Sequence, residues 1–131
     1  MLKLLTLAVA ALSIMLLAPA HAAGADLRLG ARLTAPGSPA RAQARYEEKP
    51  TSRGLQQRFK VEIENAVPGA SYDISANGKF MGKVRINSLG RGQLDQRVNG
   101  DNPGTSVPSL PRLQPGAVIR AGVLSGSLVR Q

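Results

Sequence analysis

The stretch "YDISANGKFMGKVRI" (residues 72–86) places Asn77-Gly78 between two runs in which apolar and polar residues alternate. An Asn-Gly pair in this setting is a strong local signal for a β-hairpin, because both residues tolerate the left-handed backbone of a tight turn. The length of the loop decides which side chains share a face, since a slip of one residue turns every side chain to the opposite face.

The apolar pattern favours a three-residue loop, Ala76-Asn77-Gly78, over a two-residue Asn77-Gly78 turn. The two-residue turn would pair Ala76 directly with Lys79 and mix apolar with charged side chains on both faces. The three-residue loop instead pairs Ser75 with Lys79, and Gly78 takes the left-handed position of a bulge, which glycine occupies without penalty. One face of the hairpin then collects Tyr72, Ile74, Phe80, Val84 and Ile86, which we expect in the core.

The same period-two alternation recurs along the chain and is typical of half-buried antiparallel strands. Proline and glycine pairs such as Pro68-Gly69 mark the turns between these segments. Residues 40–47 are rich in Ala, Arg, Gln and Glu, which favour a helix by propensity, but their unbroken alternation favours a strand. The predicted strands are 26–33, 40–47, 55–64, 70–76, 79–87, 91–98, 117–124 and 127–130.

The number and spacing of these segments predict an all-β fold. We expect a small antiparallel β-sandwich or a partly open barrel of about seven or eight strands. No segment shows the helical pattern that a βαβ fold would need. Residues 99–116 contain four prolines and predict a long irregular connection. We expect Val107, Leu110 and Leu113 to hold part of this connection against the sandwich.

The N-terminus has the pattern of a secretory signal peptide. Lys3 provides a positive start, residues 4–17 are apolar and uncharged, and Ala20-His21-Ala22 is a small-x-small cleavage pattern. The apolar run is shorter than the ~20 residues of a spanning helix. We therefore predict a signal peptide over 1–22, cleaved after Ala22, and a single β-sandwich domain over 23–131. This predicts a periplasmic or secreted protein whose mature chain has no transmembrane segment.

Residues 59–95 combine a strand ending in Pro68-Gly69, a turn at Asn77-Gly78, a Gly82-Lys83-Val84 strand and a Gly90-Arg91-Gly92 turn. This order resembles a pattern in small exported bacterial proteins of unassigned function. It is distantly similar to chordin-type (CHRD) repeats and related β-sandwich modules. The resemblance covers about a third of the chain and rests on turn chemistry. It implies a β-sandwich and transfers no catalytic residue.

The residue inventory excludes several chemistries. The chain has no cysteine, and its one histidine, His21, falls in the predicted signal peptide. The mature protein therefore lacks the side chains of Ser-His-Asp and Cys-His catalysis, of the usual zinc and copper sites, and of haem attachment. We assign no catalytic, cofactor-binding or metal-binding residue and expect no cofactor.

Two acidic motifs allow a functional and a plain interpretation. Glu62 and Glu64 lie two apart on one predicted strand, a spacing compatible with a glycosidase-type pair. The simpler interpretation is a solvated face paired with nearby basic residues. The stretch "NGDNPG" (99–104) offers oxygen donors but lacks the spacing of a calcium loop, so we predict a turn.

Basic residues are the largest departure from average composition: 17 Lys+Arg stand against 8 Asp+Glu, a formal net charge of +9. No aromatic residue alternates with them on the outward phase, so the surface provides no base stacking, which argues against single-stranded nucleic acid as a partner. If the two strands 26–33 and 40–47 are neighbours, their arginines form one basic patch, to which the outward side of residues 79–85 adds three more positions. The predicted anion-binding patch comprises Arg28, Arg32, Arg41, Arg45, Lys79, Lys83 and Arg85.

The sequence favours a non-enzymatic exported β-sandwich that acts as a structural or interaction module in the bacterial envelope, with an envelope protein as partner. The alternative is a binding protein for an acidic glycan, lipopolysaccharide or another anionic lipid surface, acting through the arginine-rich face. An enzyme is the third hypothesis, restricted to carboxylate, Ser, Tyr or Lys chemistry. A basic surface that serves solubility alone also fits the composition.

Overall fold

A computed structural model describes residues 26–99 and 105–131. The predicted signal peptide and residues 100–104 of the predicted "NGDNPG" turn lie outside these residues. Within them, two β-sheets pack face to face and no helix occurs. The all-β prediction and the sandwich are confirmed, and the two sheets do not close into a barrel.

The described residues form ten strands, several of them very short. The strands are β1 (Leu27–Leu33), β2 (Arg41–Thr51), β3 (Gly54–Glu64), β4 (Ser71–Ala76), β5 (Lys79–Arg85), β6 (Gly92–Val98), β7 (Thr105–Ser106), β8 (Val118–Ala121), β9 (Leu124–Ser127) and β10 (Val129–Arg130). One sheet has the order β10-β1-β2-β3-β6-β7 and the other β5-β4-β8-β9. Neighbouring strands are antiparallel except β6 and β7, which run parallel.

Strand β2 confirms that alternation prevails over helix propensity in residues 40–47. Ala42, Ala44 and Tyr46 are buried, whereas Arg41, Gln43 and Arg45, which alternate with them, are exposed. A pleated strand separates these two sets completely, and a helix would spread both around its axis. Burial of the apolar face against the second sheet therefore outweighs the intrinsic preference of Ala, Arg and Glu.

The core lies between the two sheets. Tyr46 and Phe59 are directly paired across β2 and β3, and both are fully buried. Ile74 on β4 and Ile119 on β8 bury their side chains from the opposite sheet. Because the remaining buried residues are mainly Leu, Val, Ile and Ala, the sandwich is held together chiefly by aliphatic packing.

The hairpin loop has two residues, so the predicted three-residue loop is wrong. Ala76 pairs directly with Lys79, and both Asn77 (φ 49°) and Gly78 (φ 84°) adopt the left-handed backbone of a tight hairpin turn. The expected positive φ of Gly78 is confirmed. The extra residue that the apolar pattern requires is Met81, which forms a bulge within β5.

This bulge restores the predicted faces for most of the hairpin. Beyond it, Tyr72 pairs with Val84 and Ile74 with Gly82, and Ile74 and Val84 are buried while Tyr72 is half-buried. Phe80 precedes the bulge and therefore lies on the opposite face, where 61% of it is exposed. The prediction that Phe80 belongs to the core is wrong for this reason.

The predicted strand 117–124 is two strands, β8 and β9, joined by a tight turn at Gly122-Val123. Gly122 has a φ of 60°, which favours glycine. The turn predicted at Ser125-Gly126 lies inside β9, where Ser125 and Thr34 exchange two backbone hydrogen bonds of 3.1 Å. This bridge joins the two sheets along one side.

The connection after β6 is held against the sandwich, as predicted. Leu110 and Leu113 are buried, and Val107 is half-buried against the core. The backbone N–H of Val107 also donates to the carbonyl of Arg97, continuing the short parallel pairing of β7. We call residues 105–117 the strap.

Candidate functional site

Four of the seven predicted anion-binding residues share one surface. Arg28 and Arg32 on β1 and Arg41 and Arg45 on β2 lie on the outer face of the six-stranded sheet. The two strands are neighbours, as the patch prediction required, and Gly30 is paired with Arg45. Arg45 therefore lies diagonally between Arg28 and Arg32 on the same face.

The other three predicted residues, Lys79, Lys83 and Arg85, lie on β5 in the four-stranded sheet. Lys83 lies 3.7 Å from the carboxylate of Asp73 on β4. Lys79 is beside the hairpin turn, at the end of β5 opposite to Arg85. The seven residues therefore do not form one patch, because they belong to two different sheets.

A groove at one end of the sandwich brings arginines of both sheets together. It has a volume of about 1000 Å³ and is formed where β1, β3 and β5 end and where β2 and β6 begin. Arg32, Arg41 and Arg85, all members of the predicted patch, line it, and so does Arg91, which the patch did not include. We call these four residues and the space between them the basic groove.

The loop between β5 and β6 positions Arg91. Asn87 holds this loop, since its Oδ1 accepts hydrogen bonds from the backbone N–H groups of Leu89 (2.9 Å) and Arg91 (3.0 Å). The N–H of Asn87 in turn donates to the carbonyl of Arg91 at 2.8 Å. An asparagine side chain that accepts hydrogen bonds from the backbone N–H groups of its own turn fixes the loop conformation. Arg91 is thereby held at the rim of the groove.

Gly92 brings β5 and β6 close together. A Cβ atom at this position would lie 2.5 Å from Val84 Cγ1 and 3.0 Å from the carbonyl oxygen of Arg85. Only glycine permits this approach without a shift of the backbone. The missing side chain thus lets the end of β5, with Arg85, sit beside the start of β6, with Arg91.

The arginines of the basic groove have no ion-pair partner within 4.0 Å among the described residues. Glu62 and Glu64 also line the groove, and Glu62 lies 3.4 Å from Lys60. The groove therefore contains four guanidinium groups and two carboxylates. Guanidinium groups bind carboxylate and phosphate oxygens through paired hydrogen bonds, so the arrangement can bind a ligand with several negative charges.

On the part of the outer face formed by β3 and β6, basic side chains pair with a carboxylate of the protein itself. Arg58 donates two hydrogen bonds to Asp95, at 3.1 and 3.0 Å, and Arg97 lies 3.7 Å from the same carboxylate. Burial raises the pKa of Asp95, but the hydrogen bonds and charge of Arg58, with the charges of Arg97 and Lys60, lower it overall. The carboxylate stays ionised and occupies these arginines.

A second, smaller depression of about 390 Å³ lies on the outer face beside β1, and Arg32 and Arg45 are among the residues that line it. The side chain of Gln131 covers Gly30 there: a Cβ on this glycine would lie 2.8 Å from Gln131 Cδ. Arg32 lines both depressions. Positive charge thus continues from the basic groove to Arg45 on the adjoining part of β2.

The carboxylates offer no second candidate centre. Residues 26–99 and 105–131 contain no group of three or more acidic, histidine or cysteine side chains that could hold a metal ion. Glu62 and Glu64 are both exposed on the outer face, as the simpler interpretation of that pair expects. In the same part of the chain, no helix has the length and apolar character needed to cross a membrane.

The comparisons with known proteins leave the family open. No protein-family model matches the chain, and no curated protein is similar to it at a significant level. The resemblance to chordin-type repeats therefore stays a prediction.

Proposed function

We propose that the protein is an exported, non-enzymatic β-sandwich that acts as an interaction module in the bacterial envelope and binds an anionic partner in its basic groove. The observation that supports the anionic partner is the convergence of four arginines from two sheets, none of which has an ion-pair partner among the described residues. Arginines that serve solubility alone have no reason to converge on a concave surface.

The residue inventory supports a module without catalytic activity. The proposed mature chain lacks histidine and cysteine, and most of its described carboxylates are engaged by basic side chains. Among the phenols, burial and the hydrogen bond to Glu48 raise the pKa of Tyr46 to about 12, which suits it poorly for proton transfer.

Export is supported by the sequence of residues 1–22, which has the charge, the apolar run and the cleavage pattern of a signal peptide. In the bacterial envelope, multiply charged anions are acidic glycans, lipopolysaccharide and anionic lipid head groups. An interaction with a folded envelope protein that has an acidic surface is the second candidate and would use the same arginines.

Chromatography on immobilised heparin tests the proposal, because heparin presents closely spaced sulfate and carboxylate groups. We expect retention at low salt and elution as salt rises, since screening weakens exposed charges. The Arg41→Glu/Arg91→Glu variant should elute at lower salt than the Lys79→Glu/Lys83→Glu control, which changes the net charge equally. Equal elution of the two variants would contradict a specific groove and leave the basic surface as a matter of composition.

A further inference from the structure

Two exposed apolar side chains lie on loops at the end of the sandwich that holds the basic groove. Val67, in the loop between β3 and β4, is 71% exposed, and Leu89, in the loop between β5 and β6, is 77% exposed. Single exposed apolar residues are ordinary on a protein surface. These two, however, stand on loops that touch each other, and the loop with Leu89 also carries the groove residues Asn87 and Arg91.

The contact between the two loops is a backbone contact. The N–H of Ala66 donates to the carbonyl of Gly90 at 3.1 Å, and the N–H of Gly69 donates to the carbonyl of Ile86 at 2.9 Å. Val67 directly follows Ala66, and Leu89 directly precedes Gly90. Both apolar side chains therefore project from one structural unit at the groove end of the sandwich.

Both loops are held in fixed conformations. The N–H of Ala70 donates to the carbonyl of Val67 at 3.0 Å, which closes a tight turn, and Gly69 takes a φ of 86° within it. A Cβ on Gly90 would lie 2.9 Å from the carbonyl oxygen of Ala66. The hydrogen bonds of Asn87 fix the other loop, as described above. Because both loops are fixed, the side chains of Val67 and Leu89 stay exposed to water as long as the protein has no partner bound.

The apolar unit is joined to the basic groove through the loop between β5 and β6. Arg91, which lines the groove, is two residues from Leu89, and Glu64, which also lines it, is three residues before Val67. The end of the sandwich therefore presents guanidinium groups beside two apolar side chains. A soluble acidic polymer would use only the first of these features. The surface of an anionic bilayer offers phosphates to the arginines and an apolar interior to the valine and leucine.

We propose that this end of the sandwich docks onto an anionic lipid bilayer, with Val67 and Leu89 entering the interface and Arg41, Arg85 and Arg91 contacting lipid phosphates. The proposal rests on the proposed anion-binding function and specifies its partner. Phe80, which is comparably exposed but lies at the far end of β5, takes no part in the docking.

Flotation with vesicles tests the docking. The protein should bind vesicles of phosphatidylglycerol and phosphatidylcholine at physiological salt, and it should not bind vesicles of phosphatidylcholine alone. The Val67→Ser/Leu89→Ser variant, which changes no charge, should lose vesicle affinity by about tenfold or more while keeping its retention on heparin. The Phe80→Ser control should keep both, and the Arg41→Glu/Arg91→Glu variant should lose both.

Insertion can be followed directly, because the chain has no cysteine and a single introduced thiol is labelled uniquely. A polarity-sensitive dye on Leu89→Cys should shift to shorter emission wavelengths with anionic vesicles, and the same dye on Phe80→Cys should not shift. Retention on heparin without vesicle binding, or vesicle binding unchanged by the apolar substitutions, overturns the bilayer proposal and leaves a soluble polyanion as the partner. If the unmodified protein is not retained on heparin at all, the proposed function itself is contradicted.

Discussion

Arg112 donates two hydrogen bonds to the buried carboxylate of Glu48, from Nε at 3.0 Å and from Nη2 at 2.8 Å, and so ties the strap to β2. Glu48 is only 6% exposed and also accepts a 2.6 Å hydrogen bond from the hydroxyl of Tyr46. Gln57 donates to that hydroxyl and to the strap carbonyl of Leu110. The irregular strap is therefore anchored through a satisfied polar network at the edge of the core.

The Glu48 network makes the stability of the protein depend on pH. The hydrogen bonds from Arg112 lower the pKa of Glu48 more than burial raises it. A carboxyl group with a lowered folded-state pKa stabilises the fold above its unfolded pKa of ~4.3 and loses this contribution as pH falls through the folded-state value. We expect the free energy of unfolding to fall as the pH is lowered through that range.

Arg112→Ala should destabilise the protein more at pH 7 than at pH 3. Without Arg112, the burial that raises the pKa of Glu48 is unopposed, so keeping this carboxylate ionised at pH 7 costs free energy. Urea denaturation at the two pH values measures the difference. Arg120→Ala, which removes an exposed arginine that has no ion pair within residues 26–99 and 105–131, is the control and should change stability by no more than about 0.5 kcal/mol at either pH. An equal effect of Arg112→Ala at both pH values would contradict the network.

The hairpin turn should tolerate only residues that accept a left-handed backbone. A Cβ on Gly78 would meet nothing within 4 Å, so Gly78→Val costs only the backbone penalty, about 1–2 kcal/mol. Gly78→Asn should cost less, because asparagine adopts this conformation more readily. Urea denaturation of both variants measures the order, and equal stabilities would show that the turn has another conformation.

Gly126 marks the crossing of β9 past β1. A Cβ there would lie 2.2 Å from the carbonyl oxygen of Arg32, a backbone atom that cannot move away without disturbing the bridge between the sheets. We expect Gly126→Ala to destabilise the protein by about 1–3 kcal/mol. Gly30→Ala is the matched control: its nearest obstacle is the flexible side chain of Gln131, so it should cost less than about 1 kcal/mol. Thermal denaturation that ranks the two variants in the reverse order would refute this crossing.

The fold could be predicted largely because each strand encodes its own buried face. In β2 the alternation of Ala42, Ala44 and Tyr46 with arginines specifies a strand without reference to any partner. The position of the bulge, in contrast, depends on contacts between strands. Gln96 on β6 donates to the carbonyl of Met81 at 2.8 Å, and Gly82 faces Leu94 across the sandwich. These contacts come from distant parts of the chain, which explains why local pattern placed the extra residue in the loop.

The candidate site was less accessible to sequence reasoning for the same reason. Alternation indicates that Arg32, Arg41 and Arg85 point outward, but it does not indicate which sheet each belongs to. The convergence of Arg85 and Arg91 with the β1 and β2 arginines depends on the order of strands and on the missing side chain of Gly92. The local signal for Arg91 was its position between Gly90 and Gly92, which marks a turn where a basic side chain is displayed.

The most direct test of the basic groove is to map where an anion binds. Titration of the isotope-labelled protein with a short heparin fragment, followed by amide chemical shifts, reports each residue separately. We expect the largest shifts around Arg32, Arg41, Arg85 and Arg91, with little change at Lys79 and Lys83. Shifts spread evenly over all basic residues, or centred on Lys79 and Lys83, would contradict binding in the groove.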